Sequence, residues 1–161
     1  ISERFYLGGK MNDKVRDYWE KFCKETNKSK DTKIFEVFYF GHNEHTAKKI
    51  LELVLKGVKT ATASSVYQYD RTNSEYPKVG DLSIVTDFKG NPMCVIETKE
   101  VLKLKFNEVT YEICKREGED ATLETWQQNH IEFFTEIGKK LDFEFSFDRD
   151  IIFEDYVVVY E

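Results

Sequence analysis

Two prolines in 161 residues leave the secondary-structure pattern almost uninterrupted. Cysteine is sparse too: Cys23, Cys94 and Cys114 are odd in number and widely spaced, which suits neither a disulfide framework nor a zinc site and points to a reducing cytoplasm. Basic charge is in deficit, with 24 Lys and Arg against 30 Asp and Glu for a net charge of −6. That balance excludes a protein that coats nucleic acid through phosphates alone, because such binding needs a broad basic surface. No apolar run approaches the roughly 20 residues of a membrane span, and the N-terminus lacks the apolar core of a signal peptide. The expectation is a cytoplasmic protein with no membrane partner. His42, His45 and His130 have no metal-binding spacing, and no H-E-x-x-H, Walker or G-x-G-x-x-G phrase occurs, so neither a metal nor a cofactor is expected.

What the chain does have is thirteen Phe and nine Tyr, enough apolar mass at this length to build one domain over residues 1–161 rather than a disordered segment. Val15, Tyr18, Trp19 and Phe22 predict a helix over about 12–24, an extension to a core over about 34–160. Ile34–Phe40 reads as a strand covered on both faces. Ala47, Ile50, Leu51, Val54 and Leu55 repeat as the apolar stripe of a helix that Asn43 caps and Gly57 stops. Asp70–Lys78 reads as a charged flap. Leu82–Thr86 and Met93–Leu104 read as a hairpin, with Lys103 and Lys105 on one solvated face. Thr122 caps a last helix striped by Leu123, Trp126, His130, Phe133, Phe134, Ile137 and Leu141. Ile151–Tyr160 is placed as a central strand, with Val157 and Val159 expected in one core with the stripe of the Ala47–Leu55 helix. Irregular alternation of strands and helices with hairpin connections fits an α+β fold with a mixed, mostly antiparallel barrel.

Lys59 is unusual because it leaves the helix end among small residues, Thr60-Ala61-Thr62-Ala63-Ser64. Loss of solvent there disfavours its charged form and makes the amine available as a base or nucleophile. Read from the residues alone, the commoner role is a surface lysine whose stem covers the helix terminus. If Lys59 is functional rather than structural, it contributes little packing beyond its stem, and Lys59→Met is expected to shift stability by only about 0.5 kcal/mol. In a regular strand Lys59 and Thr62 face opposite ways, and they converge only if the chain turns between them.

The phrases GVKTATAS, PKVGDLSIV, EGEDATLETWQQNHIEFF and IIFEDYVVVY, in this order from about Phe38 to Tyr160, resemble the ASCH domain, a relative of the PUA RNA-binding fold. The resemblance implies a PUA-like β-barrel with flanking helices that binds a nucleoside or single-stranded RNA. Its branch includes an enzyme that removes the acetyl group from N-acetylcytidine with a lysine, a threonine and a glutamate. Carried onto matching positions, these are Lys59, Thr62 and Glu119. Such chemistry needs an attacking oxygen, a proton acceptor and an oxyanion donor, and which residue attacks is left open. A ribonuclease is the other hydrolase implied, and a non-catalytic RNA-binding or coactivator-like module the alternative. Ser64, Tyr67, Tyr69 and His130 are the expected substrate contacts, the tyrosines by stacking on a base. The chain departs from the pattern of the family's longer members at His42, where they tend to have Asp, and at Asp155, where they tend to have an arginine in the last strand.

Overall fold

Asparagine side chains open the first two helices: Asn12 accepts from the Val15 amide and Asn43 from the Thr46 amide, each meeting one of the orphan donors of a first helical turn. The computed structural model describes residues 4–6 and 11–161. In chain order these form β1 (Arg4–Tyr6), α1 (Asp13–Glu25), β2 (Val37–Phe40), α2 (Glu44–Leu55), β3 (Ala61–Ser65), α3 (Val66–Thr72), β4 (Leu82–Thr86), β5 (Pro92–Lys105), α4 (Tyr111–Cys114), α5 (Leu123–Leu141) and β6 (Asp150–Tyr160). Short 3-10 turns at Phe106–Glu108 and Lys115–Glu117 flank α4. The strands make one six-stranded sheet in the order β1-β2-β4-β5-β6-β3. Only β2 and β4 pair in parallel; the other neighbours are antiparallel. This curled half-barrel with helices around it is the mixed α+β, PUA-like architecture expected.

The sheet has a helix pair on each face. Alternate residues of β5 and β6 point opposite ways, so Ile96 and Tyr156 meet Ile50, Leu51 and Val54 of α2, and Ile152 meets Val66 and Tyr69 of α3. On the other face Phe153 and Ile151 pack under Trp126, Phe133 and Phe134 of α5, and Val95 under Val15, Trp19 and Phe22 of α1. The α2 stripe is therefore buried as its period demands. Leu51→Ala is expected to cost roughly 2 to 5 kcal/mol, read as a shift of the urea midpoint at unchanged slope; superimposable melts would mean that this face is not the packed one.

Three sequence expectations change. Val157 and Val159 are 42% and 37% exposed rather than buried, because α5 covers the Ile151–Phe153 end of that face and α1 the Tyr160 end, leaving the stretch between them open. The strand predicted over Ile34–Phe40 is regular only from Val37, and burial alternates along it. The first residues of the predicted flap belong to α3, which Asn73 closes in the left-handed conformation at φ 52°. Among the described residues no helix is long and apolar enough to cross a membrane.

Candidate functional site

Gly57, at φ 68°, closes α2 with the Val58 amide on the Leu53 carbonyl and its own amide on Val54. This six-to-one closure turns the chain so that Lys59 stands just before β3 rather than within it. The turn resolves the problem of strand period: Lys59 reaches back along the free edge of β3, while Thr62 points from its face. Since β3 pairs with β6 on one side only, the amide of Ala63 and the carbonyl of Ala61 need other partners. The Ala63 amide donates to Glu117 Oε1 at 3.3 Å and Lys59 Nζ donates to the Ala61 carbonyl at 2.9 Å. A lysine and a glutamate thus finish the edge strand.

Lys59 is 1% exposed. Its Nζ lies 2.8 Å from Glu119 Oε2, 3.4 Å from Glu117 Oε1 and 5.3 Å from the centre of the Phe40 ring. Three oxygens, two of them from carboxylates, converge on the amine within hydrogen-bond reach. Glu119 is the member nearest to solvent, its side chain 13% exposed.

Glu117, which the sequence gives no reason to prefer over its neighbours, is the centre of the cluster. Its carboxylate takes hydrogen bonds from Lys59 and from Trp126 Nε1, and lies 3.3 Å from His130 Nε2. The other ring nitrogen of His130 lies 2.8 Å from the Trp126 carbonyl oxygen, which accepts from it. The Trp126 and His130 rings stack at 4.1 Å. Complete burial on its own pushes the Glu117 carboxyl up; the charges of His130 and Lys59 and the hydrogen bonds from His130 and Trp126 outweigh it, holding the group well below the usual carboxylate range.

Gly118 sets both glutamates on the amine. It adopts φ 70°, and a Cβ there would stand 2.5 Å from the Val58 carbonyl oxygen, so only glycine lets this loop lie against the end of α2. Gly118→Ala is expected to destabilise the fold by more than about 1 kcal/mol, and differential scanning calorimetry would show the lowered midpoint.

The structure brings Lys59 and Glu119 into contact and places Thr62 three residues on, 1% exposed, with its hydroxyl making no hydrogen bond among the described residues. Ser64 is half-buried on the same face of β3, opposite Ile152. The other expected contacts lie elsewhere. Tyr69 is 3% exposed in the α3 cluster with Val66 and Ile152. Tyr67 turns away from Lys59, its hydroxyl accepting from Arg149 at 2.7 Å and its ring stacked on Phe143. His130 is buried behind Glu117, so it reaches Lys59 only through that carboxylate. Asp155 Oδ1 lies 2.9 Å from Arg116 Nη1. Sequence reasoning also passed over Glu154, whose signal was a charged residue inside an apolar strand.

The ASCH domain family model matches residues 36–160. The ASCH domain from Lactobacillus crispatus JV V101 superposes with a TM-score of 0.81 at 31% identity, covering 98% of this chain and 100% of that one. Protein EF3133 from Enterococcus faecalis V583 superposes with a TM-score of 0.85 at 27% identity, over 93% of this chain and 90% of that one. No curated protein matches. Most of the chain, including the Lys59 turn, the Glu117–Glu119 loop and both helices that enclose them, falls inside the matched residues, and the chain belongs to the ASCH domain family.

Proposed function

We propose that this protein binds a nucleoside, free or as an unstacked base of single-stranded RNA, beside Lys59 and hydrolyses an amide on it, as on an N-acetylated cytidine. The observation that carries the reading is the convergence of Glu119 on the Lys59 amine at 2.8 Å, with the Thr62 hydroxyl, which makes no hydrogen bond among the described residues, in the strand that follows Lys59. In this scheme Thr62 attacks the acyl carbon or holds the water that does, and Glu119 takes the proton released. The Lys59 ammonium stabilises the negative charge that grows on the carbonyl oxygen. The carbon–nitrogen bond then breaks and cytidine leaves with the proton that Glu119 took up; where Thr62 attacked, a water then hydrolyses the acyl ester left on its oxygen, so that in either case the acyl group leaves as a carboxylate. Charge on Lys59 is what an oxyanion donor needs, so the two-glutamate setting supports this division of labour over one in which the lysine is the base.

A second reading has its own support. Full burial of Lys59, with Nζ on the Ala61 carbonyl and Glu117 on the Ala63 amide, is what a purely structural edge cap requires, and a non-catalytic RNA-binding module would keep it. Incubation of the purified protein with N-acetylcytidine and with short RNAs, followed by product analysis, separates the two. Release of cytidine and acetate is expected; intact substrates with measurable RNA binding would support the module instead. Because recognition is of a base rather than of a phosphate track, RNA affinity is expected to fall only gently with salt, as for about one to three phosphate contacts. A binding series across ionic strength measures that slope, and a steep one would reject a small site.

A further inference from the structure

Arg116 has no task in the proposed hydrolysis, yet it lies in the 3-10 turn directly before Gly118 and Glu119. So short a turn is not held in place by its own hydrogen bonds, and the position of the loop is set by what it touches. Arg116 touches both strands beside Lys59. Its carbonyl accepts from the amide of Thr60 at 2.9 Å and from the Thr60 hydroxyl at 3.2 Å, and Thr60 is the residue after Lys59. Its guanidinium lies 2.9 Å from Asp155 Oδ1 of β6, 3.9 Å from Glu100 Oε2 of β5 and 5.3 Å from the centre of the Phe153 ring. Asp155 is the Cα partner of Ala61, whose carbonyl takes the Lys59 amine. The Thr60 carbonyl in turn accepts from the amide of Tyr156, next to Asp155. The contacts therefore close a ring, from Arg116 to Thr60, on to Tyr156 and Asp155, and back to Arg116. Lys59 stands next to one member of that ring and Glu119 just beyond another.

We propose that Arg116 is a positioning residue: paired with Asp155, it holds the Glu117–Glu119 loop at the distance from β3 at which Glu119 meets the Lys59 amine. Arginine suits the place because its planar fork reaches Asp155 while its face lies on Phe153, which the point charge of a lysine does less well. The Arg116 side chain is 31% exposed, and ion pairs open to solvent add little stability, so rate and fold can be tested apart. The inference rests on the hydrolysis reading for its effect on rate, but not for the contact that it explains.

The test compares the full chain with Arg116→Met, Arg116→Lys and Asp155→Ala by two readouts, after calorimetry shows each to be folded. One is turnover of N-acetylcytidine. The other is brief labelling with an amine-acetylating reagent, mapped by mass spectrometry as the ratio of Lys59 to Lys103, since Lys59 is 1% exposed and the Lys103 side chain 59%. Arg116→Met is expected to lower kcat by about 10²-fold, the scale of a misplacement of about 1 Å, with KM little changed because ground-state binding is kept. Its labelling ratio should rise by about 10-fold or more as the loop opens locally over Lys59. Arg116→Lys should recover part of both effects, and Asp155→Ala should reproduce them, with the double variant no worse than Arg116→Met because the two residues act as one pair. A merely structural Arg116 would lower the melting midpoint and nothing else. A labelling ratio like the parent's overturns the proposal, and so does a parent-like kcat in Arg116→Met. If the parent hydrolyses nothing, the hydrolysis reading falls and the labelling ratio alone decides this one. Should Arg116→Met fail to fold, the same readouts on Asp155→Ala decide.

Discussion

Lys59→Met is expected to lower the unfolding free energy by about 3 to 5 kcal/mol at neutral pH, the cost of removing one partner from a buried ion pair. The change leaves Glu117, 1% exposed, facing a methyl group, and it strips the Ala61 carbonyl of its donor. The small effect of about 0.5 kcal/mol that the sequence predicts belongs to surface positions, and Lys59 is not one. The acid limb of stability gives an independent reading of the same cluster. Glu117 is held well below its usual range when folded and titrates near 4.3 when unfolded, so its contribution is full above about pH 4.3 and is lost as pH falls further. Urea midpoints at pH 7 and pH 3 should therefore differ more for the parent than for Glu117→Gln, which is less stable at pH 7 but has no such proton to take up. A Lys59→Met protein with the parent's midpoint would mean that the buried pair contributes nothing to the fold.

Glu119→Gln is expected to lower turnover on the hydrolysed substrate by something on the order of 10² or more, the scale of a positioned acid or base, with only a modest loss of stability. It is the cleaner probe of catalysis because Glu119 reaches solvent while Lys59 and Glu117 do not. The amide of glutamine still accepts a hydrogen bond from Lys59, so the amine stays in place while the proton acceptor is gone. Thr62→Val should lose a comparable factor, and the double variant much less than the product of the two, since groups acting as one unit are not additive. Single-turnover assays on protein checked by calorimetry would separate chemistry from folding. A Glu119→Gln protein with the parent's rate would remove Glu119 from the mechanism and favour the binding module.

The elements legible in the sequence are those whose cause is local. Asn12, Asn43 and Thr122 sit where a side-chain oxygen meets a first-turn amide, and each helix begins there. The stripes of α1, α2 and α5 repeat every turn, so burial could be read from spacing, as could the Gly57 stop and the β4–β5 hairpin. The Lys59 and Glu119 contact was carried by the family phrases rather than by spacing, since a lysine and a glutamate 60 residues apart have no local relation.

The sequence by itself determined which segments become helices and strands, because capping, period and chain reversal act within a few residues. Only the tertiary structure decided what the charged side chains do. Glu117 and Glu119 share one acidic loop, yet the left-handed turn at Gly118 and the free edge of β3 send one into the core and leave the other at the surface. Thr62 and Glu154 became neighbours through strand register, and Val157 and Val159 stayed exposed because, among the described residues, the helices pack over the ends of that face of β6 and not over its middle. Pairing register and helix placement are set by contacts between residues far apart in the chain, where a carboxylate's environment, and with it its charge and chemistry, is made.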